Sequence, residues 1–92
     1  MIKIKFYSLI RLQLGINAID IEAESISIYD LLQKTEKKIG KKFIDLLFGS
    51  EKEILHGTMI LINGRNIWHL DNLDSIVSDG DEISIFPPGG GG

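Results

Sequence analysis

The chain has 92 residues, of which 43% are hydrophobic and 25% are charged, and its formal net charge is −3. This length supports one modest core, and the hydrophobic share excludes a disordered chain, which lacks the apolar residues that offset ordering entropy. Net negative charge argues against general nucleic-acid binding, because phosphate binding needs a dominant basic field.

The cysteine content limits the chemistry of the chain, and the N-terminus and the apolar runs indicate its compartment. The chain has no cysteine, which excludes disulfides, a zinc cage of thiolates and a persulfide carried on this chain. Residues 1–6 alternate apolar and charged side chains, unlike the unbroken apolar stretch of a signal peptide. No segment approaches the ~20 apolar residues of a membrane span. We therefore expect a cytoplasmic protein that binds neither membranes nor nucleic acids.

The first half of the chain predicts a hairpin followed by one clear helix. Residues 2–6 and 19–24 alternate apolar and polar side chains, and two strands so close in sequence most simply pair as a hairpin. The segment between them, Ser8 to Leu14, is interpreted as a loop with one helical turn. Ser27 and Gly40 have the residue types of a helix N-cap and a left-handed C-terminal stop.

Helical spacing predicts which face of this helix is buried. The core-facing side chains are expected to be Ile28, Leu31, Leu32, Thr35 and Ile39. A second apolar cluster, at residues 43–48, predicts a short helix that ends at Gly49.

The second half of the chain predicts further strands. Residues 58–62 are nearly all apolar and indicate a strand with little exposure, and Asn63-Gly64 is a strong tight-turn signal before a return strand at residues 66–68. Residues 70–77 have the spacing of a turn or two of helix. After the turn at residues 79–81, residues 82–86 alternate again and predict the last strand.

This element order predicts an α+β fold of the grasp type. A hairpin, a crossing helix and later strands added to the same sheet place the first and last strands side by side and parallel at the sheet centre. We expect one domain at residues 1–86 and a flexible glycine tail at residues 87–92.

Few side chains form a constellation with evident chemistry. His56 and His69 have no nucleophile or metal-ligand partner at a suitable spacing and are interpreted as surface or partly packed histidines. Five carboxylates at residues 71–82 lack the spacing of a calcium loop and indicate a solvated face or an acidic docking patch. No metal site is expected on this chain.

The chain ends in the sequence FPPGGGG, residues 86–92. Two stiff prolines end the last strand and direct the chain outward, and the six residues 87–92 can reach at most roughly 20 Å. Glycine has no Cβ, so such a backbone passes a narrow channel and approaches a nucleotide closely. A terminal carboxylate can be activated as an acyl-adenylate and converted to a thiocarboxylate. An idle, disordered end is the alternative.

Five segments occur in a characteristic order along the chain, namely KFYSLIRLQLG, SISIYDLL, INGRNI, SDGDEISIFPP and the terminal Gly91-Gly92. In these segments the chain resembles the sulfur-carrier branch of the ubiquitin-like β-grasp proteins, most of all the small subunit of molybdopterin synthase. The DGDEI turn and strand are also similar to those of the related thiazole-forming sulfur carrier. Tails of this family usually place non-glycine residues where this chain has Gly89 and Gly90, which affects the choice of partner.

The resemblance implies a β-grasp with a mixed sheet packed on one main helix, and a non-catalytic carrier function. Gly92 is then adenylated by a ubiquitin-activating-like enzyme that uses ATP and magnesium, and its thiocarboxylate donates sulfur to a pterin precursor in the large subunit of molybdopterin synthase. The chain itself is expected to bind no cofactor. The tail residues Gly89, Gly90 and Gly91 would enter the partner. Docking is expected from residues at the tail base and from an apolar surface, namely Phe86, Pro87, Pro88, Ile60, Ile62 and Trp68.

Three alternatives remain open at this stage. A ubiquitin-like modifier would share the activation step but would end in an isopeptide bond between Gly92 and a protein lysine. A thiazole-type carrier would deliver the sulfur to a different acceptor. A plain interaction module would use its folded surface and leave the tail idle.

Overall fold

The computed structural model describes residues 1–89, which contain short strands, two α-helices and three single 3₁₀ turns. The strands are β1 (Ile2–Phe6), β2 (Ala18–Ile21), β3 (Ser25–Ser27), β4 (Met59–Ile62), β5 (Arg65–Asn66), β6 (Ile76–Ser78) and β7 (Glu82–Phe86). The helices are α1 (Ser8–Leu14) and α2 (Ile28–Ile39), and the 3₁₀ turns are Ile44–Leu46, Ile67–His69 and Asn72–Asp74. A helix able to span a membrane is absent from residues 1–89.

Five strands form one mixed sheet in the order β2-β1-β7-β4-β5. β1 lies antiparallel to β2 and parallel to β7, where Ile4 is in register with Ile83. β4 lies antiparallel to β7 on the other side. The predicted hairpin and the predicted parallel pairing of the first and last strands are confirmed, and with them the β-grasp fold. A parallel pair needs a long crossover connection, which the chain between β1 and β7 provides.

Helix α2 covers the inner face of this sheet, as its spacing predicts. Its side chains Ile28, Leu31, Leu32 and Thr35 are buried, and Ile39 is partly buried. The sheet contributes the alternating residues of β1 and β7 to the same core. The helix begins at the predicted cap and ends at the predicted glycine, Gly40, which has a φ of 78°.

The Ser27 cap yields a direct stability prediction. The Ser27 hydroxyl oxygen accepts a hydrogen bond from the backbone N–H of Asp30 at 3.1 Å. Ser27→Ala leaves that N–H without its partner, and we expect the free energy of unfolding to fall by about 1 kcal/mol. Urea denaturation measures the loss, and Ser25→Ala, at an exposed position of the same short strand, is the matched control. Equal losses in the two variants would contradict the capping role.

Residues 8–14, which we expected to be mostly loop, form the two-turn helix α1. Gly15 ends it with a φ of 75°, and its N–H donates to the carbonyl of Arg11 at 2.9 Å. Ile10 and Leu14 lie one turn apart and are buried, whereas Leu9 and Leu12 are exposed. Apolar side chains on both faces conceal the helical period, which explains the wrong interpretation.

The segment between β4 and β7 also departs from the prediction. The return strand β5 has only two residues, because residues 67–69 turn into a 3₁₀ helix. Residues 70–77 contain only one further 3₁₀ turn and then enter β6, which pairs with the unpredicted strand β3 in a second, two-stranded sheet. Strands of three residues are too short to show a period of two, and their pairing depends on a partner far away in the chain. The predicted short helix at residues 43–48 is the 3₁₀ turn at 44–46.

Candidate functional site

The base of the tail is packed against the folded body. Pro87 is buried and Pro88 is half-buried, although both were expected to project outward. Pro88 lies against Gly57, where an added Cβ would be 3.4 Å from both the Cα and the Cβ of Pro88. Gly57 has a φ of 93°, a backbone conformation that favours glycine. The exit of the tail is therefore positioned by a contact between distant parts of the chain.

This packing shortens the reach expected from the sequence. If the body stays folded, a partner can draw out only the four glycines from Gly89 onward, a length of at most roughly 14 Å instead of 20 Å. Gly90, Gly91 and Gly92 lie outside the described residues, so their predicted roles stay predictions.

The contact between Gly57 and Pro88 can be tested with a pair of leucine variants. Gly57→Leu and Gly64→Leu both place a side chain at a positive φ, 93° and 85° respectively, and each should lower the free energy of unfolding by about 1–2 kcal/mol. A Cβ added to Gly57 would contact Pro88, whereas nothing lies within 4 Å of a Cβ added to Gly64. We therefore expect the amide NMR signal of Gly89 to shift in Gly57→Leu alone. A similar shift in Gly64→Leu would contradict this role of Gly57.

An apolar strip lies on the outer face of the sheet beside the tail exit. The rings of Tyr7 and Phe86 stack with their centroids 4.4 Å apart and an interplanar angle of 11°. Met59 lies opposite Phe86 in the register of β4 and β7, and Leu61 is the next outward residue of β4. We call Tyr7, Phe86, Met59 and Leu61 the outer strip. Met59 is 36% exposed and the other three are half-buried, so the strip can bury more apolar surface against a partner.

A charged pair lies on the same face as the outer strip, toward the other end of β7. The Lys5 ammonium and the Glu82 carboxylate are 2.5 Å apart. This hydrogen bond lowers the pKa of Glu82 and raises the pKa of Lys5 relative to their ordinary values. The pair places one positive and one negative charge on the outer face of the sheet.

The predicted docking residues do not all reach the surface. Ile60 and Ile62 are 1% and 8% exposed, so they belong to the core, and their expected role in docking is wrong for the folded chain. Phe86 is half-buried within the outer strip. Trp68 is exposed and lies on the 3₁₀ turn after β5.

Sequence reasoning missed three members of the outer strip, namely Tyr7, Met59 and Leu61. β4 is apolar at every position, and an apolar run does not reveal which alternate residues face outward. The signal that could have found them is the register: the outward position Phe86 would select Met59 as its partner across the strands. The stacking of Tyr7 on Phe86 similarly depends on the parallel pairing of β1 and β7.

The described part of the chain contains histidines and carboxylates that could in principle bind a metal or transfer protons. Within residues 1–89, no three histidine or carboxylate side chains converge in a way that could hold a metal ion. His56 and His69 are both exposed. The arrangement that the described residues do present is a partly exposed apolar strip next to a tail exit.

The chain matches a known family along nearly its whole length. The model of the ThiS family matches residues 4–92. A protein of Archaeoglobus fulgidus that is assigned as a sulfur carrier is 31% identical over 85 residues, which cover 90% of this chain and 96% of that protein.

Solved structures with the same fold include archaeal relatives. The solution structure of small archaeal modifier protein 1 from Methanosarcina acetivorans has a TM-score of 0.76 and 32% identity, and the match covers 99% of this chain and 95% of that one. A Pyrococcus furiosus protein assigned as molybdopterin converting factor subunit 1 has a TM-score of 0.69 and 28% identity, with 95% of each chain covered.

Proposed function

The chain belongs to the ThiS family of ubiquitin-like sulfur carriers, and we propose that its Gly92 carboxylate is adenylated, converted to a thiocarboxylate and used in molybdopterin biosynthesis. The observation that carries this proposal is the position of the outer strip directly beside the exit of a glycine tail. A body that docks through the strip holds the tail at the entrance of a partner's active site.

Activation of the tail would take two chemical steps in the adenylating partner. A carboxylate oxygen of Gly92 attacks the α-phosphorus of ATP, the bond to the β-phosphate breaks, and magnesium pyrophosphate leaves. A sulfide equivalent from the sulfur donor then attacks the acyl carbon and AMP leaves, so the terminal group is a thiocarboxylate. The partner enzyme supplies the nucleotide site and the proton transfers.

The folded body contributes positioning to this chemistry. Ordering a glycine tail costs on the order of 1 kcal/mol or more per residue, and docking contacts must offset this cost. The outer strip can offset it, because each Å² of apolar surface that is buried stabilises the complex by about 25 cal/mol before the costs of association. Packing of Pro87 and Pro88 reduces the number of residues that remain to be ordered.

The proposed destination of the sulfur is a cyclic pterin precursor bound by the large subunit of molybdopterin synthase. The thiocarboxylate sulfur would bond to an electrophilic carbon of the precursor while a carbon–oxygen bond at that carbon breaks, and the displaced oxygen group leaves with a proton. Water would then attack the acyl carbon of Gly92, so that the acyl C–S bond breaks, the thiol stays on the pterin and the tail carboxylate is restored. Two observations support this destination: the FPP element before the glycines and the likeness to the Pyrococcus protein assigned to that role.

A protein modifier is the second candidate, and a specific observation favours it. The modifier protein from Methanosarcina is 32% identical to this chain across nearly its whole length. In that case the activated Gly92 carbonyl would be attacked by a lysine amine, which forms an isopeptide bond and releases the activating group. The activation step is shared, so only the acceptor distinguishes the two functions.

A pair of experiments separates the acceptors. Immunoblots of denatured lysate from the native organism should show a single band for a dedicated sulfur carrier, whereas a ladder that disappears when Gly92 is deleted would favour the modifier. In reconstitution, the thiocarboxylate form should convert the pterin precursor when the large subunit is added, and the carboxylate form should not. Transfer to a thiazole precursor instead would identify the thiazole-type carrier.

A further inference from the structure

A second surface feature surrounds the single tryptophan, and its lining includes no residue of the outer strip. Trp68 lines an open cavity of about 450 Å³ on the side of the molecule next to β5. Two further apolar side chains line it, Ile54 and Leu73, together with the acidic residues Asp71 and Asp74. We call this the Trp68 pocket. Its volume falls in the range of about 300–1,000 Å³ that is common for binding sites.

The indole and the acidic wall of the Trp68 pocket are carried by fixed backbone. The N–H of Trp68 donates to the side-chain oxygen of Asn66 at 3.0 Å, and the neighbouring Ile67 is buried in the core. The N–H of Asp71 donates to the hydroxyl of Ser75 at 3.0 Å, and Ser75 is itself buried. The backbone at Trp68 and at Asp71 is therefore held in place by local hydrogen bonds.

The charges at the Trp68 pocket are unbalanced. Its lining includes three acidic residues, Glu53, Asp71 and Asp74, against one basic residue, Lys52. The Lys52 ammonium lies 4.3 Å from the centroid of the Tyr29 ring, which occupies it in a cation–π contact. The ion pairs found within residues 1–89 involve neither Asp71 nor Asp74. Two carboxylates therefore remain available beside an exposed indole.

We propose that the Trp68 pocket binds an arginine side chain of a partner polypeptide. A guanidinium group stacks on the face of an aromatic ring and donates hydrogen bonds in a planar fork to carboxylates, so it matches an indole next to Asp71 and Asp74. A metal ion fits less well, because the acidic groups of the described residues do not converge on one point. A nucleic acid is disfavoured because its phosphates would meet the carboxylates.

The Trp68 pocket lies close in sequence to the segment that contacts the base of the tail. Ile54 on the pocket wall precedes Gly57, which contacts the base of the tail, by three residues, a separation of at most roughly 11 Å. A partner that holds the tail can therefore reach the Trp68 pocket with an arginine on its rim. Arginine binding needs no activation of Gly92. The binding test can therefore fail while the proposed sulfur-carrier function stands, and the sulfur-carrier function can fail while arginine binding stands.

Tryptophan fluorescence provides the test, because Trp68 is the only tryptophan of the chain. The probe is a Gly-Arg-Gly tripeptide with blocked ends, titrated into the full chain at low salt. The matched control is the same peptide with citrulline, which keeps the shape of arginine and lacks its charge. We expect saturable quenching with the arginine peptide, at least roughly fivefold weaker binding for citrulline, and weaker binding as salt increases.

Charge-neutral variants locate the binding to the pocket. Asp71→Asn with Asp74→Asn should weaken binding of the arginine peptide at least roughly fivefold, since two charge-assisted contacts are removed. Asp20→Asn removes a charge on β2, at the opposite edge of the sheet from β5, and should leave binding unchanged. The proposal is overturned if the citrulline peptide binds as tightly as the arginine peptide, if the double variant retains full binding, or if Asp20→Asn loses as much.

Discussion

Deletion of Gly92 should abolish adenylation of the chain and leave its thermal unfolding unchanged. The deletion moves the terminal carboxylate back by roughly 3.5 Å, and even a 1 Å misplacement of a reacting group can cost about 100-fold in rate. The packed base of the tail makes the effect severe, because the deletion removes one of only four glycines that follow Pro88. The core residues and the buried Pro87 all precede the four glycines, so the unfolding temperature should not move.

ATP–pyrophosphate exchange with the activating enzyme measures the adenylation, and scanning calorimetry measures the unfolding. Gly91→Trp is the companion variant: it keeps the length of the tail but adds a bulky side chain that should block a narrow channel, again with folding intact. Gly92→Ala keeps the length of the tail and adds only a methyl group. It should retain more adenylation activity than the deletion variant or Gly91→Trp. Full exchange by the deletion variant would contradict the role given to Gly92.

Replacement of Phe86 by aspartate should impair activation with the tail itself unchanged. The variant breaks the stack with Tyr7 and places a carboxylate where the outer strip meets a partner, next to Met59. Loss of a central apolar contact in an interface costs about 2 kcal/mol or more, which corresponds to at least roughly 30-fold in kcat/KM. The kinetics of adenylation measured over a range of carrier concentrations should show the loss mainly as a higher KM.

The control for this variant makes the same kind of change elsewhere. Ile76→Asp replaces an apolar residue that is 60% exposed on β6, in the second sheet. We expect this variant to activate normally. Circular dichroism of both variants verifies that they fold, and Phe86→Ser provides a milder change if the aspartate lowers stability. An equal loss of activation in Ile76→Asp and Phe86→Asp would show that the outer strip has no specific role.

The local sequence pattern was sufficient to predict the elements that have a strong periodicity or a characteristic turn or cap composition. β1 and β7 alternate over five residues each, and α2 is bounded by a hydroxyl cap and a left-handed glycine. The Asn63-Gly64 turn has positive φ at both residues, as its composition predicts. These features depend only on neighbours in sequence, which is why they can be predicted without a structure.

The features that could not be predicted from the sequence depend on contacts between distant segments. β3 and β6 are three residues each and exist as strands because they pair with one another. The packing of Pro88 on Gly57 shortens the tail, and no local pattern links the two residues. The outer strip requires the register between β4 and β7, since β4 alone has apolar side chains on both faces. Candidate docking residues were therefore predicted on the right strands but partly on the wrong face.

Intact-mass analysis of the chain tests the central claim most directly. The chain is incubated with its activating enzyme, ATP, magnesium and a sulfur donor, and then digested to locate any change of mass. We expect that one oxygen is replaced by sulfur and that the change lies in the peptide that ends at Gly92. An unchanged mass with an enzyme that is competent for adenylation would contradict the carrier function.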